Sequence, residues 1–425
     1  MQTEINPSQR RNFLKWSALT IGSILTDPLS SGSQPLYKKQ SNLHFTPDET
    51  FWESIQGQFA IPKHLVMANS ANLCSPPYAV IERVNQFNLK MSRDVSFQSR
   101  AVFPELREEA LNRISNYLGV GADEVGITRN TTEANNIIIN GLDLSEEDEV
   151  IVWDQNHPSN RESWENRARR EGFTVKRISV PKNPASKEDL LKAVVESFSK
   201  DTRVLAFSHI SNVSGIALPA EEICKAARKK GILTVIDGAQ SCGFLNIDLK
   251  KTGCDFYTSS THKWMMGPFE NGLLYVNREI LPQVWPDRIT VFWKEGNDTV
   301  DSKLCALGQR NESTTPAIID VIDFHESIGK QVIEDRIRDM AKYLKDQLKQ
   351  NIPGIEFVTP LSPDLSGGVT IFKLRDKDPR EVFDKLYHEY GVACAPTGGI
   401  RLSPTISATM KDMDHIVFSV KALTA

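Results

Sequence analysis

Cysteine is scarce in this chain: six in 425 residues, with no CxxC pair. Cys74, Cys224, Cys242, Cys254, Cys305 and Cys394 are scattered, and the histidines form no cluster at ligand spacing. That pattern argues against a zinc site. It also argues against a disulfide framework, since a chain of this length builds a core without one. Buried thiols are the expectation. A dominant charge is missing too. Fifty basic residues against 54 acidic ones leave a net charge of −4, so there is no electrostatic case for nucleic acid or an anionic membrane. No apolar run approaches the ~20 residues that cross a bilayer, and no repeat or low-complexity tract occurs. What remains has the composition of an ordinary soluble globular protein, long enough to suggest two domains.

The N-terminus has its own character. Ser8-Gln9-Arg10-Arg11-Asn12-Phe13-Leu14-Lys15 resembles a twin-arginine export signal, followed by a short apolar run from Trp16 to Leu25 and small residues at Ser30–Ser33. Gln9 departs from the pattern, and no clear A-x-A cleavage site follows. The other reading is a basic N-terminal arm on a cytosolic protein. The divisions expected are residues 1–33 as signal segment and 34–64 as linker and early part of a small domain. Residues 65–300 are then a large domain and 301–425 a small C-terminal one.

From Leu65 onward, apolar runs alternate with amphipathic stretches. Strands are expected at Glu124–Thr128, Glu149–Trp153, Val175–Val180, Val204–Ser208, Leu233–Ile236 and Leu273–Val276. Helices are expected at Leu106–Leu118, Asn160–Glu171, Leu190–Phe198 and Ala220–Lys230. Such alternation predicts an α/β fold with a mostly parallel sheet covered on both faces. Later, helices at Glu334–Leu348 and Arg380–Tyr390 with strands near Gly354–Val358 and Gly368–Leu374 suggest a smaller α+β unit.

Sheets of this kind bind ligands beyond the carboxyl ends of their strands, and polar clusters fall at those ends. Asn130-Thr131-Thr132-Glu133-Ala134-Asn135 starts a helix and suits a phosphate, or only an N-cap with Thr131 or Thr132 as the cap. His157 follows Trp153 and suits stacking on a flat ring. Asn212, in Ser208–Gly215, and Asp237 and Gln240, after Ile236, complete the series. Lys263, in Ser259-Ser260-Thr261-His262-Lys263-Trp264, is the informative residue. A lysine in an apolar, aromatic setting loses solvation and becomes a neutral amine. A Schiff-base lysine paired with a buried acid suits pyridoxal phosphate.

Together these clusters resemble the class V aminotransferase family of fold-type I pyridoxal phosphate enzymes, which includes cysteine desulfurases and isopenicillin N epimerase-like proteins. The likeness runs from about Leu65 to the end. It implies a fold-type I large domain, a smaller α+β domain and a homodimer. Lys263 would be the Schiff-base lysine, Asp237 the partner of the pyridine nitrogen and His157 the ring-stacking residue. Gln240 and Asn212 would lie near the ring oxygen. Thr131, Thr132, Ser260 and His262 would hold the phosphate, and Arg401 the substrate carboxylate. Leu307–Glu312 resembles the stretch that reaches a neighbouring subunit's phosphate, although Gln309 stands where the family usually has threonine. Asn156 replaces a residue that is often acidic there.

A cysteine desulfurase needs a nucleophilic thiol on a mobile loop ahead of the carboxylate-binding arginine. Here Cys394 lies in an apolar context, next to a proline, and Arg401 follows at once. Cys394 therefore reads as structural. Aminotransfer or epimerisation at the α-carbon of an amino acid is the expected activity, with a β-elimination (C–S) lyase as the alternative. A non-catalytic protein that binds the cofactor or an amino acid is the alternative of another class.

Overall fold

The computed structural model describes residues 47–424, apart from Phe292, Lys294, Glu295 and Asn297. The export-signal segment with Arg10 and Arg11 lies outside the described residues.

A short strand, β1 (Val66–Met67), leads into the main sheet. That sheet has seven strands: β2 (Val125–Thr128), β3 (Glu149–Trp153), β4 (Thr174–Ile178), β5 (Thr202–Ser208), β6 (Leu233–Asp237), β7 (Phe256–Ser260) and β8 (Gly272–Val276). Their spatial order is β2-β8-β7-β6-β5-β3-β4. Only β8 runs against its neighbours; β3 to β7 pair in parallel. The carboxyl ends of β2, β3, β5, β6 and β7 therefore share one edge. The expected α/β architecture is what the molecule has.

Alternation explains why these segments are strands although nearly every side chain is buried. Ile151, Trp153, Leu205, Phe207 and Ile236 pack into one apolar cluster, with Ile114, Leu190, Ile223 and Ile318 from the helices. The intervening Val150, Val152, Val204, Ala206 and Val235 pack into a second, with Ile137, Ile138 and Trp164. Successive side chains point to opposite faces, and both faces are roofed by helices. At about 25 cal/mol per Å² of apolar surface removed from water, this two-sided burial dominates the stability of the sheet.

One central strand escaped the sequence reading. Phe256-Tyr257-Thr258-Ser259-Ser260 is fully buried in the middle of the sheet. Three hydroxyl residues in a row hid it from a search for apolar runs. Helices at Tyr78–Arg93, Pro316–Ile328 and Met410–Ala422 were also not anticipated.

Beyond the main sheet, β9 (Glu356–Phe357), β10 (Thr370–Lys373) and β12 (Ile400–Leu402) form an antiparallel sheet in the order β12-β10-β9. Strand β1 pairs in parallel with β11 (Val392–Ala393). The early segment is also tied to the C-terminal part by Gln56 Nε2 donating to Asp412 Oδ2 at 2.8 Å and by the Arg336–Glu49 ion pair. This brings β12, which carries Arg401, close to the edge of the main sheet.

Candidate active site

Apart from Arg401, the functional side chains sit at or just past the carboxyl end of a strand of the shared edge. After β2, Asn130 caps the helix Thr131–Gly141, its side chain accepting from Glu133 N at 2.9 Å. The cap is therefore Asn130; Thr131 is the first helical residue. The Thr131 amide donates to Ser260 Oγ at 2.8 Å, and the Thr131 and Ser260 hydroxyls share a bond of 2.6 Å. That pair spends one hydroxyl hydrogen and keeps one. The next amide, that of Thr132, has no intrahelical acceptor. With the amides of Thr131, Glu133 and Ala134 already bonded, the spare hydroxyl hydrogen, the Thr132 hydroxyl and the Thr132 amide make a donor set for an anion.

After β3, His157 caps the helix Pro158–Glu171, and its Nδ1 lies 2.8 Å from Ser159 Oγ. Burial, and then the charge of Lys263, push its pKa below the usual imidazole value. The neighbouring Asn156 is a clamp rather than a site residue. Its Nδ2 donates to Ala206 O at 2.9 Å and Asn160 Oδ1 at 3.1 Å, and its Oδ1 accepts from Ser208 N at 2.8 Å. It locks the ends of β3 and β5 in register.

At the end of β6, Asp237 is 4% exposed. Gln240 donates from Nε2 to Ala71 O and accepts from Trp264 Nε1, both at 2.8 Å. One amide hydrogen of Gln240 remains for a ligand. After β7 the chain turns through His262 and Lys263. The turn packs against Gly243, where an added Cβ would lie 2.3 Å from Met265 N and φ is +84°; only glycine admits that approach. Burial holds the Lys263 amine below its ordinary pKa, Asp237 opposes this, and Arg401 adds to it. His262 is pushed down to about 4 by burial and then by Lys263, so at neutral pH it is a neutral hydrogen-bonding group.

These elements enclose a cavity of about 250 Å³. Thr131, Thr132, His157, Asn212, Asp237, Gln240, Ser260, His262 and Lys263 all line it. So do Asn130, Ser159, Ser208, Ile210 and Ala239, which the sequence reading did not single out. Among the described residues Lys263 Nζ has no hydrogen bond or ion pair. Arg401 stands behind this wall. Its Nη1 donates to Asn212 O at 3.2 Å and its Nη2 to Asn69 Oδ1 at 3.3 Å, while its buried Nε has no partner. It is 4% exposed, forms no ion pair among the described residues, and burial brings its pKa down to about 10. Gln309 lies elsewhere, in a separate hollow beside Arg107 and Arg310.

A model of the aminotransferase class-V family matches residues 68–416. The chain belongs to that family. It is thereby a pyridoxal-phosphate-dependent enzyme of the class-V group, as the resemblance implied. Among curated proteins it is 29% identical to isopenicillin N epimerase of Streptomyces clavuligerus, over 88% of this chain and 98% of that protein. It is 30% identical to a probable cysteine desulfurase of Halalkalibacterium halodurans, over 75% of this chain and 80% of that protein. Among solved structures, an apo cysteine desulfurase from Thermococcus onnurineus NA1 superposes with a TM-score of 0.78 at 21% identity, covering 88% and 98% of the two chains. The cystine C–S lyase C-DES, solved with its product cysteine persulfide, gives 0.76 at 19% identity, covering 84% and 97%. The class-V site also passes a chemical test of fit. An unpartnered, half-buried amine, a buried carboxylate and an anion-binding helix start converge on one cavity, as an aldehyde, a pyridine nitrogen and a phosphate require.

Proposed function

We propose that the chain acts at the α-carbon of an amino-acid substrate, in the manner of an aminotransferase or epimerase. Arg401 carries this reading. A buried guanidinium without an acid is costly, and an incoming α-carboxylate is the ligand that relieves it, through a fork of parallel donors. Lys263, Asp237 and the Thr131–Thr132 turn would hold pyridoxal phosphate; once bound, it supplies an electron sink for the substrate α-carbon. His157 would pack on the cofactor ring, and Gln240 and Asn212, which line the same cavity, would offer polar contacts to it. Lys263, with its lowered pKa, takes and returns the α-proton at Nζ. Ser260 and neutral His262 would help hold the cofactor's phosphate without adding charge.

Cysteine chemistry separates this from the desulfurase route. A persulfide carrier needs an accessible thiolate. All six cysteines are buried and unpaired. Cys394 is 2% exposed, and burial raises its thiol to about 12. A C–S lyase that releases its sulfur without a protein thiol is the second reading. It is supported by the fold shared with the C–S lyase C-DES.

The test is an amino-acid screen in D₂O. Nuclear magnetic resonance follows α-deuteration and inversion, alongside assays for keto acid, pyruvate and sulfide. Exchange at the α-carbon supports the proposal. Pyruvate and sulfide without exchange of other amino acids support the lyase. Absence of bound cofactor defeats both.

Two further readings belong to the same proposal. The working unit is a homodimer. Phe97, Trp285 and Val291 are 87, 71 and 86% exposed, more apolar surface than a lone chain comfortably shows to water; sedimentation should return two chains. The protein is exported through its Arg10-Arg11 signal. Replacing both arginines with lysine should leave it in the cytosolic fraction, and continued export of that variant would defeat the reading.

A further inference from the structure

Asn135 lies on the helix Thr131–Gly141, one turn beyond Thr131, and is 0% exposed. It is not among the residues that line the cavity, and its side chain meets Asp237, which does line it. Nδ2 donates to Asp237 Oδ2 at 3.0 Å. Oδ1 accepts from Thr258 Oγ1 at 2.7 Å. Thr258, also 0% exposed, is the residue paired with Asp237 across β6 and β7. The other carboxylate oxygen, Oδ1, accepts from Ala239 N at 3.1 Å.

The Asp237 carboxylate, which can only accept, settles which way the amide faces. Were the amide reversed, its oxygen would meet the carboxylate oxygen with no hydrogen between them, and two acceptors would be buried together. Nδ2 therefore faces Asp237, and the Thr258 hydroxyl donates to Oδ1 and holds the amide there. Hydrogen bonds to a carboxylate favour its charged form, and low polarity around the chain of bonds strengthens each one. The titratable groups that face Asp237 are Lys263, His157 and the buried Tyr257 hydroxyl.

We infer that Asn135, oriented by Thr258, is a positioning residue: it holds the Asp237 carboxylate at the angle from which that carboxylate keeps a proton on the cofactor's ring nitrogen. This rests on Asp237 being the partner of that nitrogen. Asn135 touches neither cofactor nor substrate and acts only through Asp237. The pair Asn135–Thr258 thus sets how firmly the electron sink stays charged. Neither residue was assigned a role from the sequence.

The experiment uses the full-length holoenzyme reconstituted with pyridoxal phosphate labelled with ¹⁵N in the ring. The ¹⁵N chemical shift is followed against pH, and cofactor affinity is measured by titration of the apoenzyme. The variants are Asn135→Ala, Thr258→Val and Thr258→Ser. A hydrogen bond to a charged group is worth enough for about a tenfold change in proton or ligand affinity. Asn135→Ala and Thr258→Val should lower the pH at which the nitrogen loses its proton by about one unit and loosen the cofactor. Thr258→Ser, which keeps the hydroxyl, should behave as the parent. A purely structural role would lower the melting temperature without moving the nitrogen's midpoint. Thr258→Val is nearly isosteric and decides the matter if Asn135→Ala does not fold. An unchanged midpoint in a folded Thr258→Val enzyme overturns the inference while leaving the cofactor assignment intact. A parent protein that takes up no labelled cofactor overturns the cofactor assignment itself, and the inference with it.

Discussion

Replacing Arg401 with methionine should make the enzyme nearly inactive and no less stable. The two effects come from the same burial. Arg401 is 4% exposed and has no acidic partner among the described residues; its two hydrogen bonds, to Asn212 O and Asn69 Oδ1, are long at 3.2 and 3.3 Å. Burial lowers its pKa well below the ordinary guanidinium value, to about 10. At 1.36 kcal/mol per unit, that is a penalty of about 3 kcal/mol for holding the charge in the folded protein at neutral pH. Methionine fills similar space without the charge, so the apoenzyme's melting temperature should hold or rise. The loss of function is worked the other way. Two charge-assisted hydrogen bonds to a substrate carboxylate contribute about 1.5–3 kcal/mol each. Removing roughly 4 kcal/mol in all lowers kcat/KM about a thousandfold. The assay pairs thermal unfolding of the apoenzyme with steady-state kinetics on an amino acid and on the matching amine, which lacks the carboxylate. Only the amino acid should lose its advantage. Equal losses on both, or a melting temperature lower by several degrees, would refute the reasoning.

Lys263→Ala should lose the visible absorption of the holoenzyme, and borohydride should no longer fix the cofactor to the peptide around position 263; a persisting adduct there would remove Lys263 from its role. His325 is 0% exposed, bonded to Tyr117 Oη and Met265 O at 3.0 Å each, and burial lowers its pKa to about 4. Because the unfolded state binds the proton first as acid is added, its contribution is intact above pH ~6.5 and is lost as pH falls toward ~4, about 3 kcal/mol in all. Denaturant titrations across that window should show the loss in the parent and a shallower one in His325→Gln. Asn156→Ala leaves Ser208 N and Ala206 O without their side-chain partner. It should cost about 2–3 kcal/mol in chemical denaturation, and a smaller change would mean that water replaces the amide.

The outer architecture was legible because both faces of the sheet are apolar. Runs such as Val150-Ile151-Val152-Trp153 and Val204-Leu205-Ala206-Phe207 are strands on composition alone. Strand β7 was not legible for the opposite reason. Its hydroxyls are buried by function: Thr258 bonds Asn135, and Ser260 bonds Thr131. A polar strand is tolerated in a core only where each polar group finds a partner. Those partners come from a helix some 125 residues earlier, and no local window sees them. The sequence clue was indirect. Asn135 on an otherwise apolar helical face, among Ala134, Ile137 and Ile138, is a buried amide asking for a partner.

The same logic explains why the site was readable while its chemistry needed three dimensions. Residues that touch the cavity sit at strand ends, so order along the chain is enough to gather Thr131, His157, Asp237 and Lys263. Arg401 and Cys394 come from different geometry. Arg401 pairs with Ala395 in an antiparallel bridge and Cys394 precedes Ala395, and the meaning of both depends on burial. A guanidinium buried without an acid is poised for an anion; a thiol buried with a pKa near 12 is inert. Motif order could suggest each of these, yet only the environment distinguishes a waiting cation from an ion pair, or a silent thiol from a nucleophile. Reaction outcome on a shared cofactor is decided by those environments. It follows that exchanging Cys394 for serine should leave turnover within a few-fold of the parent, as measured by α-deuteration. A collapse of activity in a folded, cofactor-loaded Cys394→Ser enzyme would return the desulfurase route to first place.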